Sequence, residues 1–173
     1  FAFSLFSIIK FLANIFGNFY PKIIDFDFAK FSEKGTTNSL EMRTPIYMAP
    51  EQFTSMFYDN KVDVFAYSMI LYELLTLEKP WSNKKNLDKS TLFKYVSNGL
   101  RPVIGDREVP EKYIELINNC LDSNPNGSPP FKTIVKGFVD YKDSYFDLDI
   151  IEEEEFDEYI SKAIEGLYLE DNE

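Results

Sequence analysis

The sequence predicts a mainly α-helical domain followed by an acidic helical tail, and three observations carry that prediction. Apolar residues recur at helical spacing over 62–76, 111–121 and 131–139. One stretch, 22–28, instead alternates in the two-residue rhythm of a strand. Charge is also divided unevenly: residues 140–173 hold 14 acidic residues against two lysines, a net −12, which leaves +1 on residues 1–139 of a chain whose formal charge is −11. Three regions follow: an apolar N-terminal segment over 1–20, a nearly neutral body over 21–139 and an acidic tail over 140–173.

At 173 residues the chain is the size of one ordinary domain, and a hydrophobic content of 45% is enough to build a core. The chain has no histidine, which excludes Ser-His-Asp and Cys-His nucleophile systems and leaves acid-base chemistry to carboxylates and lysines. One cysteine, Cys120, excludes an internal disulfide and a cysteine-cluster zinc site, and suits a reducing, cytoplasmic setting. The sign of the charge argues against nucleic acid and anionic membrane as partners.

Segment 1–20 has 14 apolar residues but is broken by Lys10, Asn14 and Asn18, and its uninterrupted run falls well short of the roughly 20 residues that cross a bilayer. It reads as a piece of a larger fold, either a remnant of the segment that should precede the body or a misassigned stretch. The next stretch, 22–28, predicts a strand running into a turn, with Asp25 and Asp27 placed to hold a hard cation such as Mg²⁺. Residues 31–44 form a polar loop rich in hydroxyls, and Pro45 and Pro50 forbid regular helix or interior strand between them. Segment 62–76 is apolar around most of its circumference and so predicts a buried helix, in which Asp63 and Glu73 need partners. Asp63, near its start, is a candidate cap. Further helices are expected over 91–98, stopped by Gly99, over 111–121, with Cys120 in the core, and over 131–139. Lys84, Lys85, Lys89 and Lys94 make a local basic stretch that reads as a solvated loop or as a docking surface for an acidic partner. In the tail, Ile150, Ile151, Phe156, Tyr159, Ile160, Ala163, Ile164 and Leu167 lie at helical spacing among the acids. They predict an amphipathic helix that docks on the body, spaces it or receives a basic partner.

Taken in order, the body's motifs resemble the C-terminal lobe of eukaryotic protein kinases, most closely the tyrosine-kinase-like serine/threonine group. The residues Lys22-Ile-Ile-Asp-Phe-Asp-Phe-Ala-Lys30 are similar to the metal-binding Asp-Phe-Gly motif, and Thr44-Pro-Ile-Tyr-Met-Ala-Pro-Glu51 to the end of the activation segment. The run from Asp63 to Leu75 resembles the central buried helix, Pro80-Trp81 the turn after it, and Gly99-Leu-Arg-Pro102 with Cys120-Leu-Asp-Ser-Asn-Pro125 the closing helices. The resemblance implies ATP and Mg²⁺ as cofactors and a protein as substrate or partner. Asp25 and Asn14 would be the metal and nucleotide ligands, Thr44 would orient the catalytic loop, and Asp63 would bond that loop's backbone.

This sequence departs from the family at named positions. Asp27 replaces the glycine of the metal motif. The chain has no histidine, and so no His-Arg-Asp catalytic motif, and the 24 residues before Asp25 are too few for an N-lobe with its glycine-rich loop and lysine. Ser128 stands where the family carries the arginine that pairs with the glutamate equivalent to Glu51. That substitution predicts a vacancy beside Glu51, with Arg43, Arg101 and Arg107 as the arginines left to fill it and Ser128→Arg as a stabilising change. The expected function is that of a kinase-domain protein that is inactive as the chain stands, or of a truncated pseudokinase acting as a protein-binding module.

Overall fold

A computed structural model describes residues 44–55, 58–85, 87–107, 109–145 and 161. The expected strand at 22–28, the loop at 31–43, the apolar segment 1–20 and nearly all of the tail helix lie outside the described residues. Those described fall into two compact units, one within 26–129 and one from Pro130 onward. Every regular element among them is helical.

In the first unit, a 3₁₀ turn at Pro45–Tyr47 leads into α1 (Glu51–Thr54), α2 (Lys61–Thr76), α3 (Lys89–Ser97), α4 (Glu111–Cys120) and a second 3₁₀ turn at Pro125–Gly127. Proline at the first position of each 3₁₀ turn supplies the fixed φ and forgoes an N–H that would have no partner there.

Helix α2 organises this unit. Val64, Tyr67, Ser68, Met69 and Leu71 have essentially no exposed surface, and these positions point around most of the helix, as the all-round apolar sequence requires. Ser68 satisfies its hydroxyl by donating to the Phe65 carbonyl one turn back, so a polar residue is tolerated at full burial. The helix packs against α4 and against both 3₁₀ turns. Asp63 is not the cap. The helix begins at Lys61, the capping position falls on Asn60, and the Asp59 side chain accepts the Lys61 N–H at 2.9 Å. Asp63 lies in the first turn with part of its surface exposed, yet the surrounding protein desolvates its carboxyl enough to raise it above the ordinary range.

Helix α3 starts two residues before the expected 91, because the Asp88 side chain accepts the Thr91 N–H at 2.6 Å and caps it. It ends as expected at Gly99, whose φ of +78° is open only to glycine at little cost. The Gly99 N–H then reaches the Val96 carbonyl and the Leu100 N–H the Tyr95 carbonyl, closing the last turn. The Phe53 ring of α1 meets Phe93 of α3 with centroids 5.4 Å apart. Cys120 is fully buried, as expected, and burial pushes its thiol up to about 12.

In the second unit, α5 (Phe131–Asp140) and α6 (Lys142–Tyr145) continue the expected closing helix by one residue and a further turn. Phe131, Ile134, Val135 and Phe138 form its single buried face, and Phe138 meets Tyr145 edge-on at 4.7 Å. No helix among the described residues is long and apolar enough to cross a membrane.

Candidate functional site

The described part of the candidate site is the segment from Thr44 to Glu51 and the elements that hold it. Thr44 is exposed, and its carbonyl accepts the Tyr47 N–H at 3.3 Å to close the 3₁₀ turn. Met48 and Ala49 are 3% and 1% exposed, so two residues in irregular backbone are seated as deeply as the core of α2. Such burial obliges their amides to find partners. The Met48 N–H donates to the Pro45 carbonyl at 3.1 Å, and the Ala49 N–H to Oε1 of Gln52 at 2.9 Å.

Tyr47 fastens this segment to α2 by donating its hydroxyl to Oε2 of Glu73 at 2.6 Å, within the short range of a hydrogen bond to a charged oxygen. Burial, then the bond to Glu73 and its charge, push the Tyr47 hydroxyl up to about 12. Glu73, one of the two charges that the sequence placed on a buried helix, thus has a partner 26 positions away. The pairing was partly legible, because a charge on an apolar helix demands a donor, but nothing in the sequence singled out Tyr47.

Glu51 opens α1 half-buried. Burial raises its carboxyl above the ordinary range and the Asp59 charge adds to this, while its own backbone N–H and the more distant Arg101 pull the other way. Neither of the two described candidates for the vacancy forms an ion pair with it. The Arg101 guanidinium is spent on the carbonyls of Leu121, Val96 and Leu100 and on Ser123 Oγ, and lies over the Phe65 ring at 5.3 Å. Arg107 pairs with Glu78. Arg43 lies outside the described residues.

Ser128 itself is held by contacts of its own, and these correct the expectation that an arginine there would stabilise the fold. The residue is 5% exposed, its hydroxyl donates to the Cys120 carbonyl at 3.3 Å, and its carbonyl receives the Lys61 ammonium. A lysine from the start of α2 therefore ties down the loop before Pro129, and an arginine at 128 would meet both a filled space and a positive charge. Sequence reasoning missed Lys61, a surface-type residue with no distinguishing pattern around it.

Asn14 and Asp25 lie outside the described residues. Their donors, an amide and a carboxylate oxygen, are the hard ligands that Mg²⁺ takes. No group of three or more acidic, histidine or cysteine residues among the described residues is placed to hold a metal ion.

A protein kinase domain family model matches residues 11–138. The chain belongs to the protein kinase family. It is 33% identical over 121 residues to the dual specificity protein kinase shkB of Dictyostelium discoideum, covering 69% of this chain and 18% of that protein. It is 40% identical over 98 residues to the serine/threonine-protein kinase VIK of Arabidopsis thaliana, covering 57% of this chain and 22% of the relative. With the Arabidopsis serine/threonine-protein kinase STY17 it shares 35% identity over 115 residues, 66% of this chain and 20% of the relative. This kinase-family chain thus spans about a fifth of the length of these curated relatives.

Proposed function

We propose that the protein containing these residues transfers the γ-phosphoryl group of ATP to serine or threonine hydroxyls of protein substrates, and that the 173 residues alone supply the substrate-side platform without turning over. The observation that supports this best is the Tyr47–Glu73 hydrogen bond, which together with buried Met48 and Ala49 anchors the stretch from Thr44 to Glu51 against α2. Phosphoryl transfer rests on positioning and charge neutralisation, so a rigidly seated loop beside the substrate is what this half of a kinase has to provide. In this reading Asp25 and Asn14 hold Mg²⁺, which when bound neutralises charge on the nucleotide phosphates. Thr44 and Asp63 hold the catalytic loop by its backbone, and Glu51 fixes the end of the activation segment. A cytoplasmic setting belongs to the same reading, supported by a single, buried cysteine. The tail, at −12, suits a basic partner.

A second reading, a pseudokinase serving as a binding module, is favoured by one observation: the 173 residues contain no histidine and hence no His-Arg-Asp motif. Sequencing the transcript on both sides of the segment separates the two. An in-frame His-Arg-Asp motif, glycine-rich loop and strand lysine establish the enzyme. A contiguous coding region without them establishes the module.

A further inference from the structure

Between α2 and the middle of α3, several unusual features converge that the kinase reading does not use. Both described non-glycine residues in the left-handed region lie in this connection, Leu77 at φ +56° and Trp81 at +68°. Such backbone is strained for a residue that carries a β-carbon and persists where the surroundings impose it. Leu77 is also 88% exposed, the most exposed large apolar side chain among the described residues. Trp81 is 3% exposed, yet its indole N–H has no hydrogen-bond partner among them. Its ring lies 6.1 Å from Tyr95, and the Lys84 ammonium sits 5.9 Å from the centre of that Tyr95 ring.

The charge of this connection is equally distinct. Residues 79–94 carry five lysines and one acid, Asp88, a net +4, which against −11 for the chain leaves −15 on everything else. Asp88 is already engaged in capping α3. All five lysines are exposed.

We infer that this connection is a docking surface for a short acidic segment of a partner protein, rich in Asp and Glu. Charge complementarity sets the sign of the occupant, and screening sets its size. At physiological salt fields decay over roughly 8 Å, so the five lysines act together on a ligand of about the patch's own length, which a short acidic peptide matches. The patch has no arginine, and so no forked donor for phosphate. Its tryptophan is buried, which removes the stacking platform that single strands use. The inference does not depend on phosphotransfer, since a pseudokinase would present the same surface.

Trp81 is the chain's sole tryptophan, so its emission reports on this place directly. Decaglutamate titrated into the full chain at low salt is expected to change that emission saturably, with affinity falling as salt rises. Lys84→Glu with Lys85→Glu should weaken binding about tenfold or more, each reversal replacing an attraction by a repulsion. Lys84→Gln with Lys85→Gln should fall between, and Lys136→Glu on α5 should change it less than about twofold. Equal affinity in the reversed variant, equal binding of decaglutamine, or tighter Lys84- and Lys85-dependent binding of a DNA oligonucleotide or phosphatidylserine vesicles would overturn the assignment. Both pairs of substitutions fall on exposed side chains, and a circular dichroism melt identifies any variant that fails to fold.

Discussion

Replacing Tyr47 by phenylalanine removes one oxygen and leaves the ring, so the change isolates the bond that holds the Thr44–Glu51 segment to α2. The O–O distance of 2.6 Å is that of a charge-assisted bond, a class that contributes about 1.5–3 kcal/mol net. A rise from 10.0 to about 12 corresponds to roughly 2.7 kcal/mol for a fully buried group. Tyr47 is partly exposed and burial accounts for the largest share of that rise, so solvent screening brings the part due to Glu73 to about 1 kcal/mol. For a unit of about 100 residues this is a fall in Tm of roughly 4–8 °C. The assay is a double-mutant cycle of Tyr47→Phe and Glu73→Gln at pH 7, followed by melting. A coupling energy near 1 kcal/mol is expected, and additivity within about 0.5 kcal/mol would refute the reasoning. The sign of the pH dependence is also fixed. The fold raises the Tyr47 pKa, so its contribution is complete below pH 10, the unfolded value, and is lost as pH rises towards about 12. The phenylalanine variant should lack that alkaline loss.

Ser128→Arg, stabilising by sequence reasoning alone, is expected to lower stability by about 1–3 kcal/mol through overpacking at a filled site, and Lys61→Met in the same chain should recover part of it; a raised Tm in the single variant counts against the Lys61 contact. Because the fold raises the Glu51 pKa, its ionised form is disfavoured, and the relative stability it confers is present below the ordinary carboxylate pKa and lost as pH rises through the folded value. Glu51→Gln should therefore raise Tm at pH 7.5 and lose that advantage near pH 4, which melts across that range will show. A β-carbon at Gly127 would lie 2.4 Å from Asp122 Oδ2, and that side chain is held by the Asn124 N–H at 2.8 Å. Gly127→Ala should accordingly cost about 1 kcal/mol in urea unfolding, with Asp122→Ala in the same chain relieving it.

The helices were legible wherever periodicity and punctuation agreed. Helix α2 follows from its all-round apolar sequence, α3 ends where Gly99 permits left-handed backbone, and α4 follows from a clean apolar stripe. The start of α3 was misread because Asp88 competes with Thr91 as the first helical signal, and only side-chain geometry shows which one caps. For the site, residue type revealed needs but not partners. Glu73 needed a donor and Glu51 a cation, and the sequence could not show that a tyrosine meets the first or that Arg101 and Arg107 are engaged elsewhere. Lys61 was invisible because a lysine on a helix end is ordinary, and its role comes entirely from where the loop at Ser128 passes.

The most direct measurement is a thermal shift of the 173-residue chain with Mg²⁺-ATP, run beside Asp25→Ala and paired with a phosphotransfer assay on a protein substrate. A ligand at a hundred times its Kd stabilises the folded state by about 2.7 kcal/mol, well within detection. These residues hold no His-Arg-Asp motif, and the result expected is no Asp25-dependent shift and no transfer. An Asp25-dependent stabilisation accompanied by phosphorylated substrate would contradict a platform that needs further residues to catalyse.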